Sequence, residues 1–227
     1  MVSGFMDVAS EVRAATRWTQ SHGEEIANFV SHGLGFIAAV VGAPILLEAA
    51  RQRGHAPFFI GSAIFVATIV LLYLGSAIYH LWPRTPFKAA LQTIDHSAIF
   101  LLIAGTYTPL ALGPLHGPSG WTILAIVWAM ACFGIILKTT KGVSHRPRLA
   151  VGLYLAMGWL VVLVMRPLAM AVSVSTLVWL VAGGLVYTAG VLFFINDHKR
   201  YCHFVWHLFV LGGTTCHYFA VLTHANA

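Results

Sequence analysis

Of the 227 residues, 59% are hydrophobic and 9% charged, against roughly 25% charged in a soluble domain, which excludes a water-soluble globular fold. The net charge of +6 is dispersed between apolar runs, so nothing resembles a nucleic-acid footprint and no nucleic-acid partner is expected. Cys132, Cys202 and Cys216 have no CxxC spacing and an odd count, so no disulfide framework is implied.

Crossing hydrocarbon takes about 20 mostly apolar residues per helix, because every backbone N–H and C=O must be paired within its own segment. Seven runs qualify: 26–47, 57–80, 94–113, 119–138, 149–165, 171–194 and 203–223. The expected fold is all-α, a polytopic membrane protein with one seven-transmembrane-helix bundle over 23–227. A polar N-terminal tail, 1–22, precedes it, with a weak amphipathic pattern in Val8, Val12 and Trp18 and no cleaved-signal signature. The tail and the second, fourth and sixth loops carry ten Lys and Arg, against Arg51, Arg53 and Arg166 on the other side. That asymmetry predicts a cytoplasmic N-terminus and a C-terminus outside.

Taken along the chain, the first span opens with Glu25, Asn28 and His32, whose i, i+3, i+7 spacing stacks them on one helical stripe. Glu24 and His22 read as solvated, as do His145 and His198, while His55, His116 and His224 read as exposed at the opposite side. The second span ends in Ser76-x-x-x-His80. The third begins with Asp95-His96 and contains Thr106-Tyr107-Thr108-Pro109, expected to kink there with its freed carbonyl satisfied by neighbouring hydroxyls. Trp82, Trp121 and Trp206 fall near predicted interfaces, where amphipathic rings are comfortable. Gly183-Gly184 and Gly212-Gly213 in the last two spans would let helices approach closely. The seventh span starts with His203-x-x-x-His207 and carries His217 ten residues on.

With 12 histidines in the chain, the HxxxH pair alone is weak evidence. Topology strengthens it, because Ser76, His80, Asp95, His203 and His207 all fall at the cytoplasmic depth on three chain-distant helices, with Glu25, Asn28 and His32 entering there on a fourth. Ionisable groups inside spans are costly and are functional candidates by default. Two histidines at i, i+4 present nitrogens about 6 Å apart on one face. With His80 they suit a first-row metal, and zinc tolerates that ligand set with a fourth position left for water. Asp95 could orient that water and carry its proton, and Ser76 could touch a substrate carbonyl. A hydrogen-bonded polar network fixing helix register is the competing reading. Glu25 is either an interfacial charge or a partner holding a ligand imidazole in its tautomer. His217 lies about 15 Å deeper; it either pairs with a backbone carbonyl or Thr, or lines a cavity or proton path.

The segments EEIANFVSHGLG (24–35), SAIYH (76–80), DHSAIFLLIAGTYTP (95–109), YLAMGWL (154–160) and HFVWHLFVLGGTTCH (203–217) together resemble the bacterial haemolysin III branch of the progestin and adipoQ receptor family. The resemblance runs from about residue 22 to 222 and implies a zinc ion (Zn2+) held by His80, His203 and His207 at the cytoplasmic side. Asp95 falls where the family aspartate meets the zinc-bound water, and Ser76 on its serine. Related membrane-embedded hydrolases suggest a metal-dependent hydrolase of lipid amide or ester bonds in the bacterial cytoplasmic (inner) membrane, serving lipid homeostasis, with a membrane lipid as substrate or ligand. A non-enzymatic sensor or receptor of lipid state with a structural zinc, and a pore-forming haemolysin, are the alternatives.

Overall fold

The computed structural model describes residues 20–140 and 147–227; the expectations for Val8, Val12, Arg13, Arg17, Trp18, Lys141, His145 and Arg146 lie outside the described residues. The helices are α1 (His22–Gln52), α2 (Ala56–Leu81), α3 (Pro86–Leu112), α4 (Pro118–Thr139), α5 (Pro147–Trp159), α6 (Met165–Ala171), α7 (Val174–Phe194) and α8 (Cys202–Ala225), with a 3-10 stretch, Leu160–Val164, between α5 and α6. The described residues contain no strand, and seven segments are long and apolar enough to cross a membrane, the fifth being Leu149–Ala171.

The helix starts are written in local chemistry. Ser21 caps α1 reciprocally: its hydroxyl accepts from the Glu24 N–H, and the Glu24 carboxylate accepts from the Ser21 N–H at 2.9 Å. α2, α3 and α4 each carry proline in the first turn, where the missing N–H has no intrahelical partner to lose. These signals lie in polar stretches outside the apolar runs, so α1 and α3 begin earlier than apolar length alone predicts. The fifth crossing likewise continues past Arg166, because Pro167 falls in the first turn of α6, where a helix tolerates it.

α2 packs between α1 and α3, α8 lies against both α1 and α7, and α4 covers α3. Two apolar clusters hold these contacts. In one, Phe58, Phe65 and Leu72 of α2 meet Trp206, Val210 and Val221 of α8. In the other, Phe100 and Ala104 of α3 meet Val127, Met157 and Leu168. The approach of α2 to α3 is backbone to backbone: a Cβ on Gly61 would lie 2.6 Å from the Pro109 Cα, so glycine is required there. Large aliphatic residues such as Leu34, Val41, Leu163 and Leu192 stay exposed on the outer faces, as a lipid solvent permits.

The break in the fifth crossing frees backbone groups that have no water to turn to, and Tyr107 of α3 satisfies them. Its hydroxyl lies 2.8 Å from the carbonyl oxygens of both Met157 and Gly158 and accepts from the Val161 N–H at 2.9 Å. Within the Thr-Tyr-Thr-Pro segment itself, Thr106 and Thr108 donate to the carbonyls one turn back. The segment expected to need hydroxyl support thus also supplies it to a neighbour. Trp206 departs from the expected interfacial belt and is buried against Phe194 in the core. His224, expected exposed, is 3% accessible; its ring packs edge-on against Phe58 and its carbonyl accepts from Arg53.

Replacing Tyr107 with Phe leaves two carbonyls and one N–H without that hydroxyl and should cost about 1–3 kcal/mol. Thermal unfolding in detergent should show the loss as a lowered midpoint; an unchanged midpoint would contradict this role.

Candidate metal centre

α1, α3 and α8 begin, and α2 ends, at the same end of the bundle. The junction is fixed by Tyr201, whose left-handed backbone (φ 58°) turns the chain into α8 while its N–H donates to Glu24 Oε1 at 2.7 Å. The first turns of α1 and α8 are thereby tied together. Glu24 is buried at 6% exposure, contrary to its reading as solvated, because it serves this junction and the α1 cap.

His203 and His207 project from one face of α8 with ring centroids 4.8 Å apart, and His80, from the last turn of α2, faces them at 5.3 and 5.0 Å. One ligand nitrogen from each of the three lies within 4.8 Å of the others, and all three side chains are buried, so this set could hold a metal ion. Nε2 of His80 and both nitrogens of His203 have no hydrogen-bond partner among the described residues. Buried nitrogens left bare on converging rings are what a divalent ion would satisfy.

The outward nitrogens are held in position. Nδ1 of His80 lies 2.8 Å from Glu25 Oε2, and the other oxygen of Glu25 accepts from Lys88 Nζ at 2.8 Å. A carboxylate only accepts, so Nδ1 carries the proton and Nε2 presents its lone pair to the site. Ser31 does the same for His207: its hydroxyl donates to the Asn28 carbonyl at 2.8 Å, leaving a lone pair for Nδ1–H of His207 at 3.1 Å. Ser31 and Lys88 were not singled out in the sequence. By apolar length Lys88 falls in the loop before the third span, but α3 starts at Pro86 and carries it inside, 1% exposed.

Among the other expected site residues, His32 stacks flat on His207 (centroids 3.5 Å apart, 5° between planes) and meets Tyr73 edge-on. Neither of its nitrogens has a partner among the described residues, and it stands outside the converging trio. Asn28 donates to Gln20 at 2.7 Å with its Oδ1 unpaired. Asp95 is buried with His80, Ser76 and Lys138 as its electrostatic neighbours, and its carboxylate is not part of the trio. Ser76 is fully buried, with its hydroxyl beside the Asp95 carboxylate. His217 lies away from this group, its Nε2 3.3 Å from the Leu180 carbonyl. The structure therefore brings Ser76, His80, Asp95, His203, His207, Glu25, Asn28 and His32 to one end and leaves His217 deeper in the bundle.

The profile of the haemolysin-III-related family matches residues 20–218. "Hemolysin-3" of Bacillus cereus is 40% identical over 207 residues, covering 91% of this chain and 94% of that protein. "Hemolysin-3 homolog" of Bacillus subtilis (strain 168) is also 40% identical, over 88% of this chain and 93% of its own length. The human "Monocyte to macrophage differentiation factor" is 29% identical over 87% of this chain and 83% of its own.

If Glu25 fixes the donor tautomer of His80, Glu25→Gln should weaken metal binding about 10- to 100-fold while leaving the three imidazoles in place. Competition against a chromophoric chelator reads this directly; unchanged affinity would remove the role assigned to Glu25.

Proposed function

The chain belongs to the haemolysin-III-related family, and from that membership and the site's geometry we propose that it is a zinc-dependent hydrolase cleaving an amide or ester bond of a membrane lipid. The observation that carries the reading is the meeting, at one buried end, of three nitrogen ligands with a carboxylate and a hydroxyl from two neighbouring helices. An apolar cavity of about 150 Å³ lies deeper in the bundle, lined by none of these polar residues. Leu72, Ile99, Trp206 and Val210 line it, each within about one helical turn of Ser76, Asp95, His203 or His207. A lipid chain in the cavity would therefore bring its carbonyl linkage to the polar residues.

His80, His203 and His207 are the residues that would hold the zinc, a choice supported by an all-imidazole set with one position left open. When bound, the ion supplies a Lewis acid and lowers the pKa of a water to about 7. Asp95 takes the proton of the attacking water and returns it to the leaving group. Ser76, beside the Asp95 carboxylate, donates to the carbonyl oxygen as negative charge develops there. Glu25 and Ser31 keep the His80 and His207 rings oriented, and the apolar walls limit competing water. In this reading the site end is cytoplasmic and the membrane is the bacterial inner membrane, supported by Arg84, Lys199 and Arg200 at that end.

The same imidazoles join α2 to α8, and through Glu25 to α1. That bracing favours a second reading, a lipid sensor whose ion is structural. Asp95 separates the two. Purified protein should release fatty acid from ceramide-like or acyl lipids, and Asp95→Ala should lower release by at least about 100-fold with bound zinc unchanged. Lipid profiles of membranes carrying either protein should differ in the same lipid. Equal turnover, or none by either protein, would defeat the hydrolase reading.

A further inference from the structure

His217 is placed by deliberate packing. Ten residues beyond His207 on α8, it lies about 15 Å deeper into the bundle, where its ring presses on the backbone of α7. A Cβ on Gly183 would stand 2.4 Å from its Cδ2 and 2.5 Å from its Nε2, so only glycine leaves room for it; Gly184, the second of that pair, meets nothing within 4 Å. Its Nε2 lies 3.3 Å from the carbonyl oxygen of Leu180. A carbonyl only accepts, so Nε2 bears the hydrogen, and in the neutral ring Nδ1 is left as a bare acceptor. Nδ1 is buried and has no partner among the described residues.

His217 also lines the apolar cavity, and the surrounding hydroxyls are already engaged. Thr106 donates to the Leu102 carbonyl, Tyr107 serves the break in the fifth crossing, Tyr154 donates to the His96 carbonyl, Tyr187 pairs with Thr214, and Thr188 donates to the Gly184 carbonyl. A purely hydrocarbon occupant would therefore leave Nδ1 as an unsatisfied acceptor beside an apolar cavity, which carries a free-energy cost. A hydroxyl on the chain would remove it.

We propose that the cavity selects an acyl lipid bearing a hydroxyl group on the distal part of its chain, and that Nδ1 of His217 accepts the hydrogen bond from that hydroxyl. The proposal rests on the lipid reading of the cavity above and adds the substrate class. His217 acts as a specificity residue, far from the polar cluster that would hold the ion.

The test uses the full-length, metal-loaded protein in detergent and three probes: stearic acid, 12-hydroxystearic acid, and 2-hydroxystearic acid as a positional control. Wild type should bind the 12-hydroxy acid on the order of 10-fold tighter than the other two. His217→Leu should lose the preference, binding the three acids with affinities within about twofold of one another, whereas His217→Gln, which keeps an acceptor oxygen, should retain part of it. The wild-type ratio decides even where a variant folds poorly. Equal affinity for all three acids, or an equal gain from the 2-hydroxyl, would overturn the assignment to His217 and leave the lipid cavity standing; binding of none would overturn both.

Discussion

Hydrocarbon offers a buried polar atom no partner, so each nitrogen and oxygen carried inside this bundle must be paired by protein or by something the protein binds. Most are paired internally. One tyrosine hydroxyl serves the broken fifth crossing, threonines donate to the turn behind them, and Glu24 joins two helix starts. Against that background the bare nitrogens of His80 and His203 stand out. They converge with a nitrogen of His207, and their arrangement makes sense once an ion is the missing partner.

Helix packing and site geometry are the same set of contacts seen at two scales. The close approach of α2 to α3 at Gly61 puts the later turns of α2, with Ser76 and His80, beside the early turns of α3, with Asp95. The Tyr201–Glu24 bond brings α8 to α1, so Ser31 reaches His207 while Glu25 reaches His80. Two of the three converging rings, those of His80 and His207, are thus oriented by residues of α1, a helix that contributes no member of the trio. Polar contacts of this kind are costly to leave incomplete, which makes the first helix as decisive for the site as the helices bearing the ligands.

Much of this was legible in the sequence. Apolar runs give the crossings because membrane thickness sets their length, and a shared depth for His80, Asp95, His203 and His207 follows once the chain is threaded back and forth. Helix ends were harder, since they depend on caps and prolines in polar stretches; for that reason Lys88 looked like a loop charge although it pairs with Glu25 inside. The role of Ser31 is not legible in sequence because a serine in a span usually bonds its own helix, and this one does so while also receiving a ring N–H from α8. The burial of Trp206 and His224 depends on which face of α8 turns inward, which composition near a helix end does not reveal. The 3-10 break depends on contact with Tyr107, a partner about fifty residues away in the chain.

Zinc content combined with X-ray absorption at the zinc edge tests the central claim most directly, on protein purified without chelators. The account predicts one zinc per chain, with imidazole nitrogens at about 2.0 Å in the first coordination sphere, and loss of the ion in His203→Ala. Less than about 0.2 zinc per chain, or a wild-type content and spectrum in that variant, would contradict it.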